Sequence, residues 1–195
     1  MVMILGHGAF ILSVPLVLIL FVLFIYDNNI NTITRNKSTI LISLYTLLII
    51  LAFTSLTYAH LVSDFGMNNV YSNSHSTQPL LFKVCGLWGN HEGSMLLWAT
   101  ILAIYSYSIV LLRNIPYLMY KWTVLSQFIF NLFFVLYTLL TSNPFLSNMI
   151  PIYNGKELNP ILQDIVLSIH PPLIYLGYIG FSLPFSLTIG YLMTN

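Results

Sequence analysis

Long apolar runs alternate with short polar stretches along the whole chain. Five runs, at 8–26, 39–61, 95–112, 122–141 and 171–193, approach or exceed the roughly 20 helical residues needed to cross a hydrocarbon core of about 30 Å. No Asp, Glu, Lys or Arg lies deep in any of them. The pattern predicts an all-α polytopic membrane protein in which residues 1–195 form a single membrane domain of about five transmembrane helices. Outer loops are expected at 62–94 and 142–170.

The stretch before the last run has a different period. Ile161, Leu162, Ile165, Val166 and Ile169 fall on one side of a helix, and Gln163, Asp164 and Ser168 on the other. Asn159 suits the N-cap and Pro160 the first helical position. A short amphipathic helix over 159–169 is therefore expected to lie in the membrane interface. Pro171 and Pro172 then open a new helix, which leaves His170 at the corner between the two. Pro184 is expected to kink the last span near its middle. The run 79–88 is apolar but too short to cross, so it should lie in the interface or re-enter shallowly.

Several spans carry polar or small residues on faces suited to helix packing. These are Ser43, Thr46, Thr54 and Thr57 in the second, Ala99 and Ala103 in the third, Gln127, Asn131 and Thr138 in the fourth, and Gly177 and Gly180 in the fifth. Gln127 and Asn131 would be costly against lipid, so these seams mark a subunit of something larger.

Composition sharpens the class. Of 195 residues, 57% are hydrophobic and 6% charged, with a mean hydropathy of +0.85, whereas soluble domains carry about a quarter charged residues. The net charge of +1 comes with no basic patch, and no nucleic-acid partner is expected. The absence of ionisable groups at membrane depth argues against a pump, carrier or channel. Cys85, the only cysteine, rules out an internal disulfide, a CxxC pair, a thiolate cluster and the CxxCH haem-attachment motif. The first apolar run is full membrane length without a basic leader or small-residue cleavage site, so no cleavable signal is expected.

Basic residues orient the spans. Arg35 with Lys37, and Arg113 with Lys121, sit in the short loops, whereas the longer loops carry one lysine each, Lys83 and Lys156. The positive-inside rule puts the short loops and the C-terminus inside, and the N-terminus and long loops outside. His7, His60, His75, His91 and His170 then all fall at or beyond the outer face.

Two constellations carry candidate chemistry. In Asn90-His91-Glu92-Gly93-Ser94, Ser94 can cap the third span and Glu92 gains from the helix macrodipole. Gly86, Gly89 and Gly93 allow close turns, and Trp88 and Trp98 can anchor the interface. The second histidine of an HExxH zinc motif is missing, which excludes a metalloprotease. His170 has two readings. It is either a helix-boundary histidine bonded to lipid phosphate or backbone, or a neutral imidazole able to ligate iron. A protonated imidazole cannot ligate, so binding would depend on pH. A six-coordinate haem needs a second axial ligand, from another outer histidine or a partner chain.

The motifs LWGNHEGSMLLW, TSNPF at 141–145 and LNPILQDIVLSIHPPLIYLGYIGFSLPF at 158–185 resemble the N-terminal part of CcmF, a haem lyase subunit of cytochrome c maturation in the wider family that includes CcsA. YSNSHSTQPLLFKVCGLWG resembles the segment that precedes HEGS in that family. The resemblance covers nearly the whole chain in order. It implies haem received from the chaperone CcmE and held near an outer tryptophan-rich segment, for covalent attachment to the CxxCH thiols of apocytochrome c. The family's HPP ligand motif corresponds to His170-Pro171-Pro172, so the resemblance implies His170 as a haem-iron axial ligand, with His91 and Glu92 as secondary cofactor-binding candidates and no catalytic residue.

The family's WWD segment, its second outer histidine and its membrane histidine pair are not in this chain, so activity alone is not expected. The chain looks like the first piece of a split CcmF. Expected partners are the CcmF piece bearing WWD, which would supply the second ligand, a CcmH-type thiol protein, CcmE, apocytochrome c and membrane lipid. The expected location is the mitochondrial inner membrane with the long loops facing the intermembrane space, or else the bacterial inner membrane facing the periplasm. The rival reading is a non-catalytic structural subunit of a respiratory or transport membrane complex.

Overall fold

Every predicted run is helical in the computed structural model, which describes residues 1–27, 32–112, 114–148 and 152–194. The long helices are α1 (Val2–Ile25), α2 (Thr32–Leu61), α5 (His91–Leu111) and α6 (Tyr117–Thr141), with α7 (Ile165–Gly180) followed directly by α8 (Ser182–Leu192). Two short helices, α3 (Asn68–Asn73) and α4 (Leu80–Cys85), lie in the first long loop, α4 within the short apolar run. Among the described residues, five spans are long and apolar enough to cross a membrane, α7 and α8 together counting as the fifth.

α2 and α5 begin earlier than their apolar runs because the mostly polar stretches 32–38 and 91–94 form their first turns. Asn90 caps α5 by accepting from the Gly93 N–H at 2.8 Å, so Ser94 lies inside the helix and does not cap it. Ahead of α7 there is no single amphipathic helix over 159–169. Asn159 caps a 3-10 turn at Pro160–Gln163, and Asp164 then breaks the path and caps α7, its Oδ1 accepting from the Val166 and Leu167 N–H groups at 2.9 and 3.0 Å.

The polar seams hold the helices together. Asn131 is fully buried; it accepts from the Tyr45 hydroxyl at 3.0 Å and donates to Ser106 Oγ at 2.7 Å, which joins α2, α5 and α6. Gln127 donates to Ser182 Oγ and accepts from Ser186 Oγ, tying α6 to α8. Thr46 reaches the Ala103 carbonyl at 3.2 Å. Such bonds let polar groups exist at membrane depth while fixing which helices meet. Gly180 packs against the Tyr105 hydroxyl, but a Cβ on Gly177 would meet nothing within 4 Å, so Gly177 is not a packing glycine here.

The last span breaks at Phe181, three residues before Pro184. Pro184 lacks the N–H that the Gly180 carbonyl would accept, and its ring crowds that carbonyl.

The loops sort to the two ends of the bundle. At one end Arg35 donates to the Leu112 and Ile115 carbonyls at 2.8 and 3.2 Å, the Tyr117 hydroxyl donates to the Asp27 carboxylate, and Lys121 reaches the Asp27 carbonyl. Arg113 lies outside the described residues. At the other end the long loops bond to each other through Asn68 N–H to the Leu146 carbonyl and Lys156 N–H to the Tyr71 carbonyl. His7 joins this end, bonded to Asn143 at 3.1 Å and stacked on Phe145.

Candidate functional site

His170 does not stand at a corner between two helices. It sits in the second turn of α7, which runs on through Pro171 and Pro172. This needs a physical account, because each proline removes a ladder hydrogen bond. Pro172 would leave the Ser168 carbonyl without its usual donor. The Trp88 indole N–H supplies the bond instead, at 2.7 Å. The Asp164 cap and this borrowed donor together let the prolines stand inside the helix.

The same bond fixes which way α7 faces. Ser168 and Ile179 are buried and Tyr175 is half-buried against the bundle. Tyr175 packs edge-on against Trp98, with centroids 5.3 Å apart. Val166, His170, Leu173 and Gly177 lie on the other side, and all four are exposed. Spacing of four, three and four residues makes them one stripe of the helix. Neither His170 nitrogen has a hydrogen-bond partner among the described residues, so the ring's lone pair is available.

Behind α7 lies a cleft of about 340 Å³, lined by Trp88, Asn90, His91, Ser94, Leu162 and Tyr175 among others. Its wall is built by the HEGS segment. Ser94 Oγ donates to the Trp88 carbonyl at 2.9 Å, and the Asn90 amide donates to the Gly86 carbonyl at 2.7 Å. Asn90 also accepts from Asn69 at 2.8 Å, and Asn69 contacts His60 Nε2 at 2.9 Å. His91 lines the cleft and bonds Ser142 Oγ at 2.9 Å. Glu92 points elsewhere, into a polar cavity of about 80 Å³ shared with Asn68, Asn69, Asn73 and Asn143.

The three residues singled out in the sequence therefore do not converge. His170 faces outward, His91 faces the cleft behind the helix, and Glu92 faces a third space. The residue the sequence left as a lipid anchor, Trp88, links the HEGS segment to the helix that carries His170. No local signal marked this role, because prolines placed at a helix start need no outside donor. Trp88→Phe keeps the ring but leaves the Ser168 carbonyl unpaired. It is expected to cost about 1–2 kcal/mol, read as a lowered unfolding midpoint in detergent, with α7 cut faster by protease near Ser168.

Cys85 is buried beneath α7. Burial pushes its thiol above the usual range, only partly offset by a hydrogen bond with Ser168. The reactive species is the thiolate. Cys85 in the folded protein is therefore expected to alkylate with iodoacetamide at neutral pH at least about tenfold more slowly than after unfolding. Equal rates would contradict its placement.

Comparison with known proteins decides the family. Residues 88–195 match the family described as Cytochrome C assembly protein. The chain belongs to that family. It is 48% identical over 143 residues to Cytochrome c-type biogenesis protein CycK of Bradyrhizobium diazoefficiens, covering 73% of this chain and 22% of that protein. It is 42% identical over 148 residues to Cytochrome c-type biogenesis protein CcmF of Haemophilus influenzae, covering 74% and 23%. The solved structure of Cytochrome c Heme Lyase CcmF superposes with a TM-score of 0.77 at 23% identity, over 95% of this chain and 29% of that one. The chain is thus a CcmF-type, multi-pass member of the cytochrome c assembly family, and it spans about a fifth to a quarter of the length of the curated relatives it matches.

Proposed function

We propose that this chain is one part of a cytochrome c haem lyase, and that His170 supplies an axial ligand to haem held against the exposed stripe of α7. One observation carries this reading: an imidazole with no hydrogen-bond partner among the described residues, on a helix whose opposite face is locked to the bundle through Ser168 and Trp88. The helix that carries this imidazole is fixed before anything binds, which lowers the entropic cost of positioning the ligand.

The residues present fit one face of a porphyrin. Val166 and Leu173 are 73% and 61% exposed and flank His170 on the stripe, while Gly177 adds no side chain. They would cover the flat ring and exclude water around the iron ligand. Haem, when bound, contributes vinyl groups able to accept the two thiols of a CxxCH motif in apocytochrome c. What this chain adds is a ligand, a flat apolar contact and a rigid support.

The second axial ligand and the opposite wall would come from further CcmF polypeptide bearing the WWD segment. The α7–α8 span supports this reading, since 17% of it is buried against 33–56% in the other four. CcmE as haem donor, a CcmH-type protein and apocytochrome c complete the proposed partners. We place the complex in a mitochondrial inner membrane, with the long loops in the intermembrane space. The bacterial inner membrane is the alternative. A chain rich in Ile, Asn, Tyr and Phe suits an AT-rich organelle genome.

The test is an absorption spectrum of the complex purified through a tag on this chain. A haem Soret band that shifts on reduction, together with co-purified CcmF polypeptide, is the expected result. A colourless complex associated with respiratory proteins would instead identify a structural subunit.

A further inference from the structure

A cavity of about 580 Å³ opens between α2 and α5 at the end of the bundle that carries the basic short loops. Arg35, Asn36 and Thr39 line it from α2, and Tyr107, Val110 and Leu111 from α5. It shares no lining residue with the cleft behind α7. Deeper in the bundle the two helices touch, where Thr46 Oγ1 donates to the Ala103 carbonyl at 3.2 Å. The cavity is the space between that contact and the helix ends.

Arg35 supplies the charge. Of its five N–H donors, two are spent on the Leu112 and Ile115 carbonyls, and the rest have no acceptor among the described residues. The guanidinium also lies 4.8 Å from the centroid of the Tyr120 ring. Two carbonyls and a buried ring therefore brace it before any ligand arrives. The acid at this end does not neutralise it. Asp27 accepts from the Thr34 hydroxyl at 3.1 Å and from the Tyr117 hydroxyl, and it does not line the cavity. Asn36 and Tyr107 are exposed, and neither side chain makes a hydrogen bond among the described residues. An amide N–H and a phenol O–H thus stand free, one on each wall.

An uncompensated guanidinium beside two neutral donors, with no carboxylate in the lining, selects an anion. Phosphate is the anion whose oxygens match the fork of an arginine. The remaining walls select what the phosphate is attached to. Val110 and Leu111 are apolar, and exposed Ile40 and Leu47 continue the Asn36 stripe at spacings of four and seven residues. Exposed Ile104 lies one turn deeper than Tyr107 on α5. A soluble anion would leave this apolar path bare, whereas acyl chains would cover it. A zwitterionic headgroup would bring an ammonium that meets no carboxylate here. We infer that this cavity binds the phosphate of an anionic phospholipid, held by Arg35, Asn36 and Tyr107, with its chains along α2 and α5. Basic pockets between transmembrane helices suit such headgroups. The inference does not depend on the haem reading, and its assay contains no haem.

The test uses the full chain in detergent micelles with phosphatidylglycerol or phosphatidylcholine, each carrying a dansyl group on one acyl chain. Binding is read by energy transfer from tryptophan. Phosphatidylglycerol should bind saturably and at least about fivefold more tightly than phosphatidylcholine. Tyr107→Phe removes one hydroxyl and should weaken phosphatidylglycerol about threefold. Arg35→Gln should abolish the preference, but it also disturbs the bonds to two loop carbonyls. Asn36→Asp is therefore the sharper variant: its side chain has no partner to lose, and a carboxylate in the cavity should repel the phosphate. It should lose the preference while its thermal midpoint stays level. Lys37→Gln is the control, since it removes a charge from the same end without altering the lining, and its preference should stay within about twofold of the unaltered chain. Inorganic phosphate at matched ionic strength should not displace the lipid. Equal affinity for the two lipids, an undiminished preference in Asn36→Asp, an equal loss in Lys37→Gln, or displacement by inorganic phosphate would each overturn the inference.

Discussion

Gly93→Ala is expected to destabilise the protein by about 3 kcal/mol, a large cost for one methyl group. A Cβ at Gly93 would collide with the Leu87 carbonyl oxygen and stand 2.8 Å from its carbon. The obstacle is backbone, so no rotamer change relieves it. Leu87 is fully buried, and its N–H is bonded to the Val84 carbonyl at 3.0 Å. Moving α5 instead would break the Asn90 cap on Gly93, and with it the chain of amides that reaches Asn69 and His60. Gly177→Ala is the matched control. Its Cβ would meet nothing, and alanine favours a helix over glycine by about 1 kcal/mol. Thermal unfolding in detergent, followed by tryptophan fluorescence, should show a lower midpoint for Gly93→Ala and an equal or higher one for Gly177→Ala. Equal midpoints for Gly93→Ala and the unaltered protein would mean that the Leu87 turn yields freely, contrary to this packing.

The spans were legible because membrane depth allows one solution per apolar run, a helix with all its backbone bonds internal. Gln127 and Asn131 were legible for the same reason, since an amide facing lipid is too costly to keep. The ends were less so. Their position depends on single side chains such as Asn90 and Asp164, and an apolar run cannot reveal which polar neighbour will cap it. The proline pair was misread by a sound local rule. Proline opens helices readily in a first turn, where N–H groups have no internal partner, but α7 starts six residues before Pro171. A tertiary donor 80 positions away in sequence, the Trp88 indole, made the longer helix possible. The motifs were legible as the marks of one family. The way HEGS supports the HPP helix from behind, leaving His170 on the open side, depends on which faces meet.

His170→Ala is expected to lower the haem retained by the purified complex by at least about tenfold, with cytochrome c yield falling in parallel. The interpretation is unusually clean for this residue. Alanine is the best helix former, His170 is exposed and makes no hydrogen bond among the described residues, so α7 and its Trp88 contact should survive. Lost haem would then report a lost ligand, not a lost fold. His170→Gly adds a chemical check, since free imidazole can enter the vacated space and should restore part of the Soret absorbance. His91→Ala should leave haem content nearly unchanged, because His91 lies on the cleft side of α7 and its Nε2 is engaged by Ser142. Normal haem content and normal cytochrome c yield in His170→Ala would remove the ligand assignment. A deficit that imidazole cannot repair, shared equally by His91→Ala, would move the role from iron ligation to packing of the loops.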